Sequence, residues 1–226
     1  MTYSEFLHQC TNDNNKTFHL QISTEINYDE IMSKMEGSSV AGIFWSLSPV
    51  VAITSAWDGK INGQIAVTVV TSSVVHTIPR LIVGIWKGNY THEFIYNSKK
   101  LCIHLLRRDQ LALVKNFGFY TGRERKKFKE VTYAEGETGC PVLLDCHSYA
   151  ECEVLNAMDG GDMTVFLVSV VNGGLKSNDQ WLTLDYFYTY APPEWIQEYG
   201  HKLSRTVETS LKCIHDINYK TWQPDK

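Results

Sequence analysis

A stretch of largely apolar sequence carries four hydroxyl side chains within six residues, at Thr68, Thr71, Ser72 and Ser73. Hydroxyl and backbone donors at this spacing along a strand could bind the polar edge of a flat ring or a polyhydroxylated chain. Threonine is also a good strand former, so the same residues fit an ordinary half-exposed strand. The segment by itself leaves both interpretations open.

The segment 86–93 combines features that suit an anion. It ends a strand-like run, turns at Gly88 and opens a helix, and the start of a helix offers free N–H groups and a partial positive charge. Lys87 adds a formal charge, while Thr91 and His92 add hydrogen-bond donors. A threonine cap beside a solvated lysine would give the same residues, so a phosphate site and a plain helix cap are equally supported.

Two further segments have weaker signals. The basic run 123–129 could bind a second phosphate, or it could be a solvated loop. Residues 160–162, Gly-Gly-Asp, are typical of a hairpin turn, and a functional rim loop is the alternative. No Gly-x-Ser-x-Gly nucleophile motif accompanies Ser148 and the eight histidines, so nothing in the sequence favours a hydrolase.

Metal and nucleotide motifs are equally sparse in the sequence. The six cysteines include no Cys-x-x-Cys pair, and we expect free core cysteines rather than disulfides or metal ligands (Cys10, Cys102, Cys140, Cys146, Cys152 and Cys213). The glycine-rich phosphate loops of dinucleotide folds and P-loop proteins do not occur. A nucleotide would therefore have to bind by other means.

Composition narrows the class of protein. The 226 residues are 43% hydrophobic and 20% charged, as in ordinary globular domains, and 12% aromatic. The formal net charge of −4 and the isoelectric point of about 6.1 argue against nucleic acid as a partner. No apolar run reaches the roughly 20 residues of a spanning helix, and the first residues do not have the pattern of a signal peptide. These features predict a cytoplasmic protein with no membrane partner.

The chemistry-bearing segments must be positioned by many short strands. Strand-like runs are predicted over 42–56, 64–75, 80–86, 101–106, 142–144, 150–158 and 163–171, and helices over 28–35, 90–98, 110–119 and 195–211. Asp58-Gly59 predicts a tight hairpin turn, since Gly59 can take the positive φ that such a turn demands. Short strands with frequent turns and few helices between them favour a β-barrel over a doubly wound sheet.

Taken together, these segments resemble the flavin reductase-like family, over residues 41–174. The resemblance is carried by features in the family's order: 58–63 (DGKING), the hydroxyl-bearing strand, 79–83, 87–93 (KGNYTHE), 98–106, 127–128 (KF), 139–143 (GCPVL), 149–152 (YAEC) and 161–162 (GD). The fold implied is mainly β, an FMN-binding split β-barrel with Greek-key-like topology. Short peripheral helices and a C-terminal helical extension would surround it.

The resemblance also implies a cofactor and an assembly. FMN would lie in a groove between the subunits of a homodimer, with NADH or NADPH as the donor of a hydride. Thr68, Thr71 and Ser72 would face the ring and ribityl chain, and Lys87, Tyr90, Thr91 and His92 would hold the phosphate, with Asn89 also in the cofactor-binding set. The flavin supplies the redox chemistry, so no residue is assigned a catalytic proton transfer and no metal is expected.

One departure from the family pattern opens alternatives. Many reductases of the family have a histidine after the Gly-Asp of the hairpin, near the nicotinamide, whereas this chain has Met163, which cannot donate a hydrogen bond. Besides a flavin reductase, the sequence therefore allows a flavoredoxin-like electron carrier reduced by a redox partner protein. A flavin-binding module without turnover is the third hypothesis.

The same comparison divides the chain into three parts. Residues 1–40 are predicted to be an N-terminal extension, 41–174 the split-barrel domain, and 175–226 a C-terminal extension packed on the barrel or on the dimer partner. Within the last part, the aromatic segment 185–195 is expected to pack on the barrel exterior or to wrap the partner subunit.

Overall fold

A computed structural model describes residues 48–220 of the chain. Nine strands and four helices follow one another in these residues: β1 Val51–Trp57, β2 Lys60–Ala66, β3 Val69–Thr71, β4 Arg80–Trp86, α1 Tyr90–Ser98, β5 Lys100–Leu105, α2 Leu111–Phe119, β6 Tyr133–Glu135, β7 Pro141–Leu143, β8 Ser148–Asp159, β9 Met163–Leu175, α3 Leu184–Tyr190 and α4 Pro193–Ser210. The helix predicted over 28–35 lies outside the described residues.

Seven of the strands form one antiparallel sheet, in the order β2-β1-β5-β8-β9-β4-β3. The long β8–β9 hairpin holds the centre, and β6 and β7 pair separately. The apolar side chains that alternate along β4 and β9 fill the core of the sheet, since Val83, Ile85, Phe166 and Val168 are fully buried. The sheet is thus the framework on which the helices pack.

The first hairpin confirms the turn predicted at Asp58-Gly59. Asp58 has φ 52° and Gly59 has φ 67°, so both residues take the left-handed conformation of a two-residue turn. Trp57 then pairs with Lys60, and the register continues to Val51 opposite Ala66.

The prediction of a single strand over 64–75 was wrong. β2 ends at Ala66, and a separate β3 of three residues follows at Val69. β2 pairs with β1 at one edge of the sheet, whereas β3 pairs with β4 at the opposite edge. Because the chain crosses between the two edges at Val67 and Thr68, one continuous ladder of hydrogen bonds cannot span the run.

The remaining elements follow the sequence with two exceptions. The predictions of β4, α1, α2, the β8–β9 hairpin and α4 are confirmed to within a few residues. The strand β6 and the helix α3, which overlaps the aromatic segment, were not predicted. Phe187 of α3 is buried in a second core cluster with Leu106, Phe117 and Ile196, so the aromatic segment packs on the barrel.

No helix among residues 48–220 combines the length and apolar character that crossing a membrane requires.

Candidate functional site: a polar-walled cavity at the start of helix α1

A cavity of about 460 Å³ opens beside β2. Its wall combines β2, the turn into α1, the end of α2 with the loop that follows, and the helices α3 and α4. The lining residues that matter for its chemistry are Asn62, Gln64, Trp86, Asn89, Tyr90, Thr91, Phe119, Arg123, Lys127, Tyr199, Lys202 and Thr206. Aromatic rings and polar side chains thus share one enclosure.

β2 contributes two buried amides to the wall. Asn62 and Gln64 lie two residues apart on the strand and therefore point to the same face. Asn62 Nδ2 donates to Thr91 Oγ1 at 3.1 Å, which ties the strand to α1. Gln64 is 5% exposed, and its Oε1 has no hydrogen-bond partner within the described residues. A buried acceptor left unpaired costs about 1–3 kcal/mol, so the cavity can accept a donor from a ligand there.

The start of α1 forms the second polar wall. Asn89 is the N-cap residue, but its side chain caps no backbone N–H of the helix. The N–H groups of Tyr90 and Thr91 lie in the first turn, where an α-helix offers no internal acceptor. Thr91 is buried by its packing against β2. This end of the cavity therefore presents donors and the positive end of a helix dipole.

The side chains of Lys87 and His92 do not line the cavity. Lys87 Nζ lies 2.6 Å from Asp159 Oδ1 at the β8–β9 hairpin. Burial alone would raise the pKa of Asp159, but the hydrogen bonds from Lys87 and from the Gly161 N–H lower it. His92 Nε2 lies 2.8 Å from Thr164 Oγ1 on β9.

The His92 ring has a pKa below its usual value. Burial lowers this pKa first, and the nearby positive charge of Lys87 lowers it further. Glu93 and Asp159 raise it without restoring the usual value. The ring is therefore mainly neutral at pH 7, and it binds within the fold rather than in the cavity.

The hydroxyl-bearing residues lie at the far edge of the sheet. Thr68 and Thr71 are exposed and Ser72 is half-buried. The Thr68 carbonyl accepts from the Gly84 N–H at 3.0 Å. Of the residues predicted to bind the cofactor, the single chain thus brings three into the cavity wall (Asn89, Tyr90 and Thr91) and leaves five outside it (Thr68, Thr71, Ser72, Lys87 and His92).

Several cavity residues were not identified from the sequence. Gln64 looked like one position in a strand, and Lys127 looked like one more cation in the basic run 123–129. Lys127 is only 6% exposed, whereas the other basic residues of the run are exposed. In the structure, its sequence neighbour Phe128 packs on Phe117 of α2. The Lys-Phe pair was the one sequence feature that set Lys127 apart from the rest of the run.

Lys127 connects two walls of the cavity. Its Nζ donates to the Gly63 carbonyl of β2 at 2.8 Å and to the Phe117 carbonyl of α2 at 2.9 Å. Burial lowers the pKa of Lys127 to about 7, and the positive charge of Lys202 contributes to the same shift.

Four buried cysteines lie apart from the cavity lining. Cys102, Cys140, Cys146 and Cys152 are buried, and burial raises the pKa of the Cys152 thiol to about 12 and that of Cys146 to about 11. Such thiols are poor nucleophiles at neutral pH. Between residues 48 and 220, no three His, Cys, Asp or Glu side chains are arranged to hold a metal ion.

Solved structures place the curled antiparallel sheet in a known class. An NADH:FAD oxidoreductase of Streptomyces globisporus superimposes with a TM-score of 0.58 at 18% identity, over 65% of this chain and 87% of that one. At this identity the likeness concerns the fold alone. The prediction of a mainly β split barrel with short peripheral helices is confirmed.

The sequence defines the family. The model of the flavin reductase like domain matches residues 46–192, which is more than half of the chain, and the chain belongs to that family.

Three curated relatives show the range of proteins that contain such a domain. A high molecular weight rubredoxin of Moorella thermoacetica is 33% identical over 138 residues, which are 60% of this chain and 59% of that protein. A ferric-chelate reductase (NAD(P)H) of Archaeoglobus fulgidus is 31% identical, over 58% of this chain and 78% of that protein. The reductase component of a 4-nitrophenol monooxygenase of Rhodococcus opacus is 30% identical, over 62% and 71%. Two longer relatives are spanned over only 22% and 18% of their length.

Proposed function

We propose that this chain is an FMN-binding oxidoreductase that reduces its flavin with NADH or NADPH. The observation that carries the proposal is the cavity, which brings together Gln64 Oε1, a buried acceptor with no partner among the described residues, and the start of α1, where no side chain caps the helix. Both features lie within the segment that matches the family model. The relative named ferric-chelate reductase (NAD(P)H) supports a nicotinamide donor.

The residues of the cavity fit FMN in three respects. The isoalloxazine ring has one N–H group, which can donate a hydrogen bond to Gln64 Oε1, the acceptor without a partner among the described residues. The phosphate is an anion, which suits the free N–H groups of Tyr90 and Thr91. Trp86, Phe119 and Tyr199 offer aromatic surface to a flat ring, and the volume lies in the range of about 300–1,000 Å³ that is common for cofactor sites.

When bound, FMN would supply the redox chemistry by accepting a hydride and passing electrons on. The protein's own part is to bind and orient. Asn62 holds Thr91 in place, the aromatic residues exclude water, and no side chain is required to transfer a proton.

We also propose a homodimer, because one face of the sheet is apolar and no element between residues 48 and 220 covers it. Val70 on β3 pairs with Ile82 on β4, which pairs with Leu167 on β9, so the three side chains share that face. Val171 and Met158 extend it, and Val70, Val171 and Met158 are 56%, 48% and 62% exposed. The hydroxyl-bearing residues Thr68, Thr71 and Ser72 lie at this edge, so a second copy would bring them towards its partner's flavin.

Sedimentation of the purified chain tests the homodimer. A Leu167→Asp variant should become monomeric and lose affinity for FMN, whereas Leu144→Asp, at an exposed leucine after β7, should remain a dimer. A wild-type chain that sediments as a monomer at micromolar concentration would contradict the homodimer.

Absorbance spectroscopy tests the proposed function itself. The purified protein is loaded with FMN and mixed anaerobically with NADH, and in a second experiment with NADPH. Flavin bands that bleach within seconds support the reductase and identify its donor. A protein that fails to bind added FMN would overturn the proposal.

The second candidate is an electron carrier that a partner protein reduces. Besides Met163, the packing of the β8–β9 hairpin favours it: Gly161 has φ 86°, and a β-carbon there would collide with the carbonyl of Ile214. The chain after α4 therefore covers the hairpin. The relative that is a monooxygenase reductase component supports a protein partner. FMN bands that bleach with dithionite but persist with both nicotinamides would favour this candidate.

A cytoplasmic location remains a prediction.

A further inference from the structure

Helix α4 supplies a wall of the cavity although it begins at Pro193, just after the family match ends at residue 192. Four side chains on successive turns of its inner face line the cavity: Tyr199, Lys202, Leu203 and Thr206. The family segment alone therefore leaves the cavity open on this side.

Contacts along its length fix α4 in this position. Ile196 is buried in the core cluster that also contains Phe117 and Phe187. Lys115 Nζ on α2 pairs with Glu198 Oε2 at 2.8 Å, and Trp86 Nε1 donates to Ser210 Oγ at 3.0 Å. The helix is thus anchored near both of its ends, and the four lining residues lie between these anchors.

Lys202 is the cation that α4 brings to the cavity. Its Nζ donates to the Gly118 carbonyl, at the end of α2. An ammonium group has three N–H donors, so two remain for a further partner. Lys127 lies on the same cavity wall, with two of its three donors given to backbone carbonyls. In the described part of the chain, neither lysine contacts a carboxylate.

The charged groups around these lysines do not neutralise them. Glu198 is paired with Lys115, and Arg123 is paired with Glu93. Glu124 also lines the cavity, but it is exposed and forms no ion pair with either lysine within the described residues. Burial lowers the pKa of Lys202 first, and Arg205 lowers it further, while Glu198 raises it. The Lys202 ammonium and the protonated form of Lys127 are both partly removed from water beside one cavity, and together they leave a local excess of positive charge. An anionic ligand would relieve this excess.

We propose that Lys202 and Lys127 form an anion subsite at the α4 wall, which binds the oxygens of a phosphate or carboxylate group. This inference rests on the proposed function, since the group is either the phosphate of FMN or the anionic group of a second reactant beside the flavin. The Lys202 ammonium contacts the anion, and Lys127, on the same cavity wall, adds to the attraction.

Substitution of Lys202 separates charge from structure. Lys202→Gln keeps a donor for the Gly118 carbonyl but removes the charge, and Lys202→Arg keeps the charge. The matched control is Lys115→Gln, which removes a lysine from the same α2–α4 contact but outside the cavity lining. Dissociation constants for FMN and for riboflavin, which lacks the phosphate, are measured by flavin fluorescence for the wild type and all three variants.

A loss of about tenfold or more in FMN affinity in Lys202→Gln, with riboflavin affinity unchanged, identifies the flavin phosphate as the anion. Lys202→Arg should stay near the wild type, and Lys115→Gln should change both affinities less than threefold. If Lys202→Gln binds both flavins as the wild type does, inorganic phosphate is titrated into the FMN-loaded proteins. A change in the flavin spectrum that saturates in the wild type and is lost in Lys202→Gln identifies a second anion.

Two outcomes would overturn the subsite: no effect of Lys202→Gln in either titration, or equal losses in Lys202→Gln and Lys115→Gln. Failure of the proposed function looks different, because the wild type would then bind no flavin. Direct binding of inorganic phosphate to that flavin-free protein, measured by calorimetry, still decides the subsite.

Discussion

Buried polar side chains occur in two regions of the molecule, and their hydrogen bonding differs. Beneath the sheet, His104 and Glu151 are 0% and 1% exposed, and each has several partners. In the cavity, Gln64 and Lys127 are 5% and 6% exposed. Within the described residues, the Gln64 oxygen has no hydrogen-bond partner and Lys127 has no carboxylate partner. The first region uses polar groups to hold the fold, and the second holds polar groups ready for a ligand.

The partners of the sheet residues explain their role. His104 Nε2 accepts from the Leu143 N–H at 3.0 Å, which leaves Nδ1 to donate to the Ala52 carbonyl at 3.2 Å. Glu151 Oε2 accepts from the N–H and the hydroxyl of Thr138, both at 2.9 Å, and Oε1 accepts from Asn172 at 2.8 Å. The bonds to Ala52 and Asn172 reinforce strand pairs that already exist, whereas the bonds to Leu143 and Thr138 join the sheet to β7 and to the loop before it.

The largest expected effect of substitution is at Glu151. Glu151→Ala leaves three donors without their acceptor in the interior, so we expect a loss of about 4 kcal/mol in the free energy of unfolding. Urea unfolding measures this loss, and Glu151→Gln, which keeps one acceptor, serves as the milder control. A loss below about 1 kcal/mol in Glu151→Ala would show that the sheet does not depend on this carboxylate.

His104 predicts a pH dependence of stability. Burial lowers its pKa to about 4 in the folded state, from the ordinary 6.5. Between these values the unfolded chain binds the proton and the folded chain does not, so stability falls as the pH falls from 6.5 to 4, by about 3 kcal/mol in total.

The measurement for His104 is urea unfolding at a series of pH values. The difference between the wild type and His104→Gln isolates this histidine from other titrating groups, and the variant should lack the corresponding slope. Parallel pH profiles for the two proteins would contradict the assignment.

Two buried glutamines give the sharpest comparison of the regions. Gln110 accepts from the Arg107 N–H and donates to the Asp145 carbonyl, both at 2.8 Å, whereas Gln64 Oε1 has no partner among the described residues. Gln110→Leu should lower the free energy of unfolding by about 2 kcal/mol, and Gln64→Leu should raise that of the flavin-free protein by about 1 kcal/mol. FMN affinity should fall about tenfold in Gln64→Leu and stay near the wild-type value in Gln110→Leu. Equal effects of Gln110→Leu and Gln64→Leu on the free energy of unfolding would contradict the difference proposed between the two regions.

The smallest effect is expected at Lys87. Its pair with Asp159 is partly exposed and lies outside the cavity, so Lys87→Ala should cost less than about 1 kcal/mol of stability. FMN affinity should change less than threefold, compared with a larger loss in Thr91→Val, which removes the contact with Asn62. A loss in Lys87→Ala as large as that in Thr91→Val would return Lys87 to the phosphate site.

The sequence predicted the elements better than it predicted the cavity. Short apolar runs bounded by turn residues identified β4 and β9, and the residues Phe94 and Ile95 identified the buried face of α1, because these patterns are local. The break between β2 and β3 depends on which strand pairs with which, and no short window of sequence contains that information. The burial of Lys127 depends in the same way on the carbonyls of two distant segments, at Gly63 and Phe117.

The most direct test of the comparison is the shift in unfolding free energy that FMN causes in three proteins. A ligand at 100 times its dissociation constant stabilises the folded state by about 2.7 kcal/mol. At the FMN concentration that gives this gain in the wild type, His104→Gln should gain the same amount, and Gln64→Leu should gain at least 1 kcal/mol less. Equal stabilisation of all three proteins, or none in the wild type, would contradict the assignment of the cavity to the flavin.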